Sequence, residues 1–375
     1  MSSHEDYWKK QAEHSWVKTE IVVKYFRSWA SIMKTRCKQL TYLDLFSGRG
    51  AFEDGTLSTP LLILNEVVGD TTLQRCLRVL FYEGNDKNFR ELKSSVENHS
   101  AFHMMSIKPD LNRTIIKRDI IRQLPIDDCT FCFIDPFGYR GVSLELLWLV
   151  TKNWGCDCLF YLSTNGILRN VQDPTKTAQM QELFGNSGFE AIKKELTKPL
   201  RRSSFEVVIH RELEKTLRGL GIQFYRSFCV EFDKRRGTSH HLVFITKHWL
   251  GFKIMKDIMA DYSIKDTDNI PQYRYSKIDE QQLPLPFSYA IDQLKEKLCE
   301  DFAGKSLQVE HIIVTCHQRG YAFLDKNIKD ALLLLENEGN VAVDKPANQR
   351  PKTRGHISLG DKRIVTFMSI SRHVN

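Results

Sequence analysis

Four carboxylates and a group of glycines stand where short apolar runs of the chain end, and their types and spacing define the chemistry available. In TFCFIDPFGYRG, four apolar residues lead to Asp135. Pro136 then removes a backbone donor and ends the run, and Phe137 and Tyr139 bracket Gly138 beyond it. In TYLDLFSGRGAFEDG, Asp44 sits inside an otherwise apolar stretch and is followed by Phe46, Gly48, Gly50 and Gly55. An unpaired carboxylate there is costly, so Asp44 should accept hydrogen bonds from backbone amides or from a cationic ligand; ordering the loop is the plainer alternative. Glycine at 48 and 50 lets the backbone approach a ligand at a strand end. The spacing is not the GxGxxG of dinucleotide sites, and the lysine and hydroxyl residue of a phosphate-binding loop are missing. Glu83, near the end of VLFYEGN, is set to accept both hydroxyls of a ribose, or else only to lie near a helix N-terminus. Asp119, in IIKRDI, offers an acceptor to an adenine amino group.

The elements that must hold these residues alternate. TYLDLFS, LRVLFYEG, RTIIKRD, TFCFIDPF and DCLFYLST read as strands, with helix-compatible PLLILNEVV, DKNFRELKSSVENH and SLELLWLVTKNW between most of them. Alternation of this kind predicts parallel strands joined by helical crossovers in a three-layer α/β domain. IQFYRSFCVEF and HHLVFITKHW, separated only by DKRRGTS, predict an antiparallel hairpin closing one edge. Such an order is that of class I methyltransferases, which use S-adenosylmethionine. It predicts a Rossmann-like fold with a seven-stranded sheet ending in an antiparallel hairpin.

The aspartate–proline–aromatic sequence resembles the Asp-Pro-Pro-Tyr motif of methyltransferases that act on exocyclic amines of bases. In those enzymes a carboxylate or carbonyl accepts the amine hydrogens and raises lone-pair density toward the methyl sulfonium, while the aromatic stacks on the extruded base. The DPFG variant is closer to tRNA guanine-N2 dimethyltransferases and leaves adenine or guanine open. Taken together, YLDLFSGRGAFEDGT with TPLLIL, then FYEGND, FIDPFGYRG and HHLVFITKHWLGFKIMKDIM, resemble the three-Cys-motif partner proteins. These are methyltransferase-like proteins of bacteria and phages, named for a neighbouring radical-SAM protein. The resemblance covers roughly the first two thirds of the chain. It implies Gly48 and Gly50 at S-adenosylmethionine, Glu83 on its ribose, and Asp135, Pro136 and Phe137 in the active pocket. With Asp44, Phe46 and Asp119 these complete the expected cofactor and catalytic set. A radical-SAM or other protein partner is implied, and no substrate.

At 375 residues with a formal net charge of +8, the chain should bury a substantial core and favour an anionic partner, DNA or RNA. Cations cluster at Arg201 and Arg202, at Lys234, Arg235 and Arg236, and at Lys345, Arg350, Lys352 and Arg354 in a loop without acidic neighbours. Nine scattered cysteines suit reduced thiols. CTFC and CDC look like zinc half-sites, but residues three apart on a strand face opposite ways, so no metal site is expected. Without an apolar run long enough to span a bilayer, and with a polar N-terminus, a cytoplasmic address follows.

The expected domains are an N-terminal helical extension at 1–40, a methyltransferase-like domain at 41–262 with a helical insertion at about 166–221, a linker at 263–304, and a last domain at 305–375. In that last domain the order helix, turn, helix and two strands around the basic loop predicts a winged helix that binds DNA or docks protein. The insertion should cover the cleft. Asn165 could meet a base or cap a loop, and Trp8 and Trp16 should be packing residues. The function expected is S-adenosylmethionine-dependent methylation of an exocyclic amine of a nucleobase. The alternative is a catalytically atypical methyltransferase-like protein that binds nucleic acid or a partner in a phage-defence or modification system.

Overall fold

In the computed structural model of the chain, which describes residues 8–9, 11–126, 129–136, 141–197, 202–233, 238–265, 270–275, 290–353 and 356–368, the most apolar runs sit side by side at the centre of a sheet. Every residue of Leu40–Asp44 and of Cys129–Ile134 is buried, as expected of parallel strands covered on both faces.

The first of two compact units takes in Met1–Tyr262 and Arg274–Lys277. Its elements are α1 (Glu13–Met33), β1 (Leu40–Asp44), α2 (Thr59–Val68), α3 (Thr71–Cys76), β2 (Leu77–Glu83), α4 (Asp86–Glu97), α5 (Ser100–Met104), β3 (Asp110–Arg113), α6 (Arg118–Gln123) and β4 (Cys129–Ile134). They continue with α7 (Leu144–Thr151), β5 (Asp157–Ser163), α8 (Thr164–Asn170), α9 (Thr177–Leu196), α10 (Arg202–Gly219), β6 (Phe224–Asp233), β7 (Thr238–Thr246), α11 (Trp249–Asp261) and β8 (Arg274–Tyr275).

The strand order is β3-β2-β1-β4-β5-β7-β6-β8. β1 to β5 run parallel, β7 is antiparallel to both β5 and β6, and β8 is parallel to β6. Among the described residues the sheet thus has eight strands where the sequence predicted seven, because Arg274–Tyr275 adds to the edge. Helix α1 packs on α2, α11 and β4, whereas α7 packs on β4 and β5 and α10 on α9 and β6. The N-terminal helix α1 is therefore part of this unit, and the described residues between β5 and β6 are largely helical.

Two expectations shift. The third strand is Asp110–Arg113 rather than RTIIKRD; Ile116 of that run, and Ile121 just beyond it, are buried in the core around α6 instead. An edge strand needs no apolar face, and DLNR carries little of one. The thiols are not all free, since Cys37, after α1, is disulfide-bonded to Cys129 at the start of β4. These positions lie 92 residues apart, and only the folded crossover brings them together. Among the described residues, no cluster of three or more His, Cys, Asp or Glu side chains could hold a metal. No described helix is long and apolar enough to cross a membrane.

The second unit contains α12 (Ala290–Phe302), β9 (Ser306–Gln308), α13 (Val309–Gln318), α14 (Asp325–Asn337), β10 (Val341–Val343), β11 (Lys352–Thr353), β12 (His356–Ile357) and β13 (Ile364–Phe367). β10, β13 and β9 form an antiparallel sheet in that order, and β11 pairs with β12. Leu294, Leu298 and Phe302 of α12 are buried with Ile312, Ile328 and Val365, so the Ala290–Phe302 part of the expected linker at 263–304 belongs to this core. Gly339, at φ 76°, ends α14 in the left-handed conformation that glycine adopts without strain.

Candidate active site

Strand register brings three of the four acids to one place. Asp44 pairs across to Phe81 on β2 and Phe133 on β4, so Glu83 and Asp135 each project two residues beyond it at the carboxyl end of the sheet. All three line a cavity of about 340 Å³ together with Phe46, Gly48 and Pro136. Such clefts at strand ends are where open α/β sheets take ligands.

Each acid is held differently. Asp44 is 1% exposed and accepts the Phe46 amide at 3.1 Å. Burial, helped by the nearby charges of Asp135 and Glu83, pushes its carboxyl up to about 7 against the pull of the Phe46 amide and Ser47. Glu83 accepts the Gly48 amide at 2.9 Å and the Asn85 amide at 2.7 Å, which ties the glycine loop to the end of β2. Asn85 in turn caps α4 by accepting from Lys87 and Asn88. Asp135 is ion-paired with Lys18 of α1.

The glycines divide their work. Gly48, at φ 69°, lines the cavity, and a Cβ added there would lie 2.4 Å from the indole of Trp8. Trp8 is 4% exposed, its ring lies 5.3 Å from that of Phe52 at a tilt of 40°, and it accepts the Glu53 amide through its carbonyl. It packs, as expected, but it also walls the cavity. Gly50, at φ 88°, faces Ser95 and Leu92 of α4 and does not line the cavity; its role is to let the loop close on that helix. Trp16 is 44% exposed, with its ring 6.0 Å from that of Tyr262.

Asp119 does not join the site. It lies exposed in the first turn of α6, where a carboxylate complements the helix dipole, and is not among the cavity residues. Asn165 is buried within α8 and is likewise not a lining residue. Phe137 and the basic residues Arg201, Lys234, Arg235, Arg236 and Arg354 fall outside the described residues, as does the side chain of Arg202. Lys345 is half-buried and Lys352 exposed. Arg350 departs from its expected part in anion binding. Its side chain is 1% exposed and donates to Glu336 of α14, which withdraws it from any surface phosphate.

Sequence reasoning missed several lining residues. Lys18 lies 5.2 Å from the Tyr161 ring centre, and Tyr161 stacks on His240 at 5.1 Å with 13° between the planes. Ser58 lines the cavity just ahead of α2. One signal was present: Ser15, Lys18 and Thr19 recur at helical spacing in an apolar run, and all three face the cavity.

No family model matches the sequence, and no curated protein matches it. Among solved structures the chain is similar to protein LPL1258 of Legionella pneumophila, at 13% identity over 63% of this chain and 86% of that one, with a TM-score of 0.36. It is also similar to a type I restriction-modification methyltransferase subunit of Streptococcus thermophilus, at 10% identity over 65% and 47% of the two chains and a TM-score of 0.37. Trm1 of Pyrococcus horikoshii, solved with S-adenosyl-L-methionine, aligns over 93% of this chain and 89% of its own at 10% identity and a TM-score of 0.33. At likenesses of this level, the functional reading rests on the cavity's own geometry.

Proposed function

We propose that the chain is an S-adenosylmethionine-dependent methyltransferase acting on an exocyclic amine of a nucleobase in DNA or RNA. The observation that carries this is the convergence of Asp44, Glu83, Asp135 and Gly48 on one cavity at the ends of parallel β1, β2 and β4. The residues fit the cofactor. Gly48 admits its backbone-hugging portion, Glu83 is the ribose acceptor, Asp44 lies in the same cavity for a cationic group, and a methyl sulfonium supplies the electrophile. This chain does the rest: Asp135 accepts the amine hydrogens, and the stacked pair Tyr161 and His240 gives a flat base an aromatic wall. With its strand order of 3-2-1-4-5-7-6 and an added edge strand, the first unit fits the class I methyltransferase fold. The resemblance to three-Cys-motif partner proteins and a cytoplasmic address belong to the same proposal.

The second unit, with α12, β9, α13, α14, β10 and β13 in winged-helix order, serves as the nucleic-acid module. The segment between β10 and β13, carrying Lys345 and Lys352, acts as the wing. One observation favours the atypical alternative: Lys18 already neutralises Asp135, so the chain could bind nucleic acid without methylating it. Calorimetry of the full chain with S-adenosylhomocysteine, followed by filter binding to bulk DNA and RNA, separates the two. Nucleic-acid binding without nucleoside binding would reject the methyltransferase.

A further inference from the structure

The cavity carries a second set of groups that its carboxylates do not explain. Ser58 is 8% exposed and lines the cavity, and its Oγ makes no hydrogen bond among the described residues. A serine just before a helix ordinarily accepts an amide from the first turn, yet Ser58 makes no such bond to α2, a helix of 10 residues. The positive end of that helix therefore opens on the cavity at Ser58, Thr59 and Pro60. Thr59 Oγ1 lies 3.4 Å from Thr19 Oγ1, and Thr19 follows Lys18 on α1, whose ammonium lines the same space. An orphaned hydroxyl, a helix N-terminus and an ammonium are each complementary to negative charge.

We infer that Ser58, Thr59 and Lys18 form a carboxylate-binding pole that holds the α-carboxylate of an amino-acid-bearing nucleoside. The inference rests on the cofactor reading above and adds to it the recognition of the cofactor's amino-acid tail. Charge selects the ligand. A phosphate dianion would sit in the same cavity of about 340 Å³ as Asp44, Glu83 and Asp135, whereas a monoanion tethered to cationic groups matches both sets. Lys18 joins the two sets, because it pairs with Asp135 from the side of α1 that also presents Ser15 and Thr19.

The test is calorimetric titration of the full chain with S-adenosylhomocysteine and with 5′-methylthioadenosine, which share the thioadenosine but differ in the amino-acid tail. The parent should bind the homocysteine compound about ten-fold more tightly, the discrimination a charge-assisted contact supplies. Ser58→Ala and Lys18→Met should each reduce that ratio while leaving the methylthioadenosine affinity within roughly two-fold, which also reports that the pocket is folded. Should Lys18→Met fail to fold, Ser58→Ala carries the test alone. Equal affinity of the parent for both compounds, or an unchanged ratio in the variants, would overturn the carboxylate pole and leave the cofactor reading standing. Binding of neither compound would overturn both.

Discussion

Lys18 and Asp135, 117 residues apart, form an ion pair inside the cavity, joining the N-terminal helix to the end of β4. Their side chains are 11% and 21% exposed, so each charge depends on the other more than a surface pair would. Lys18→Met should therefore destabilise the protein more than it does when Asp135→Asn is also present. Denaturant unfolding of the four proteins of the cycle should give a coupling of about 1–3 kcal/mol. Additive effects would mean that the pair is not formed in solution.

Asp44 makes stability depend on pH with an uncommon sign for an acid. Its folded carboxyl is raised to about 7, so between its ordinary value of 3.8 and about 7 the native state holds a proton that the unfolded state has lost. Stability from this group is accordingly lost as pH rises through that window, by at most about 1.4 kcal/mol per pH unit. Asp44→Asn keeps an oxygen for the Phe46 amide and removes the titration. The stability difference between variant and parent should grow in the variant's favour from about pH 4 to about pH 7 and level off above. A difference that is flat with pH would place the carboxyl in its ordinary range.

Gly48 and Trp8 constrain each other. Gly48→Ala puts a methyl group into the indole at a backbone angle that L residues resist, and should cost about 2 kcal/mol or more. In a Trp8→Ala background only the backbone strain remains, so the penalty should fall. Urea unfolding checks this, and an equal penalty in both backgrounds would deny the contact.

Arg350 should behave as a packing residue of the second unit. Arg350→Ala leaves Glu336 without its buried partner and should lower unfolding free energy by about 3 kcal/mol, while affinity for bulk nucleic acid stays near the parent value once the protein is folded. Lys345→Gln with Lys352→Gln should do the reverse, leaving stability alone and reducing the salt slope of nucleic-acid binding by at most about two units. Filter binding across a salt series separates these outcomes.

Much of the sheet was legible because parallel central strands must be apolar on both faces, and β1, β2, β4 and β5 announce themselves that way. The acids ending those runs were legible for the same reason: polarity is conspicuous where burial is otherwise complete. β3 was not, since a polar edge strand lacks the signal and the neighbouring isoleucines imitate it. Lys18, Tyr161 and His240 acquire meaning only when α1, β5 and β7 are brought to one cavity, a relation that no local spacing encodes. Arg350 looked available because its neighbours in sequence carry no acid; Glu336, on the preceding helix, lies 14 residues back.

The central claim is methyl transfer at Asp135, and the direct measurement is transfer of tritium from methyl-labelled S-adenosylmethionine to bulk DNA and bulk RNA. The parent should label one polymer, and Asp135→Asn should lose at least about a hundred-fold in rate while its affinity for S-adenosylhomocysteine stays within about three-fold, because the carboxylate acts on the acceptor nitrogen. Label in neither polymer, or an Asp135→Asn variant working at the parent rate, would contradict the account.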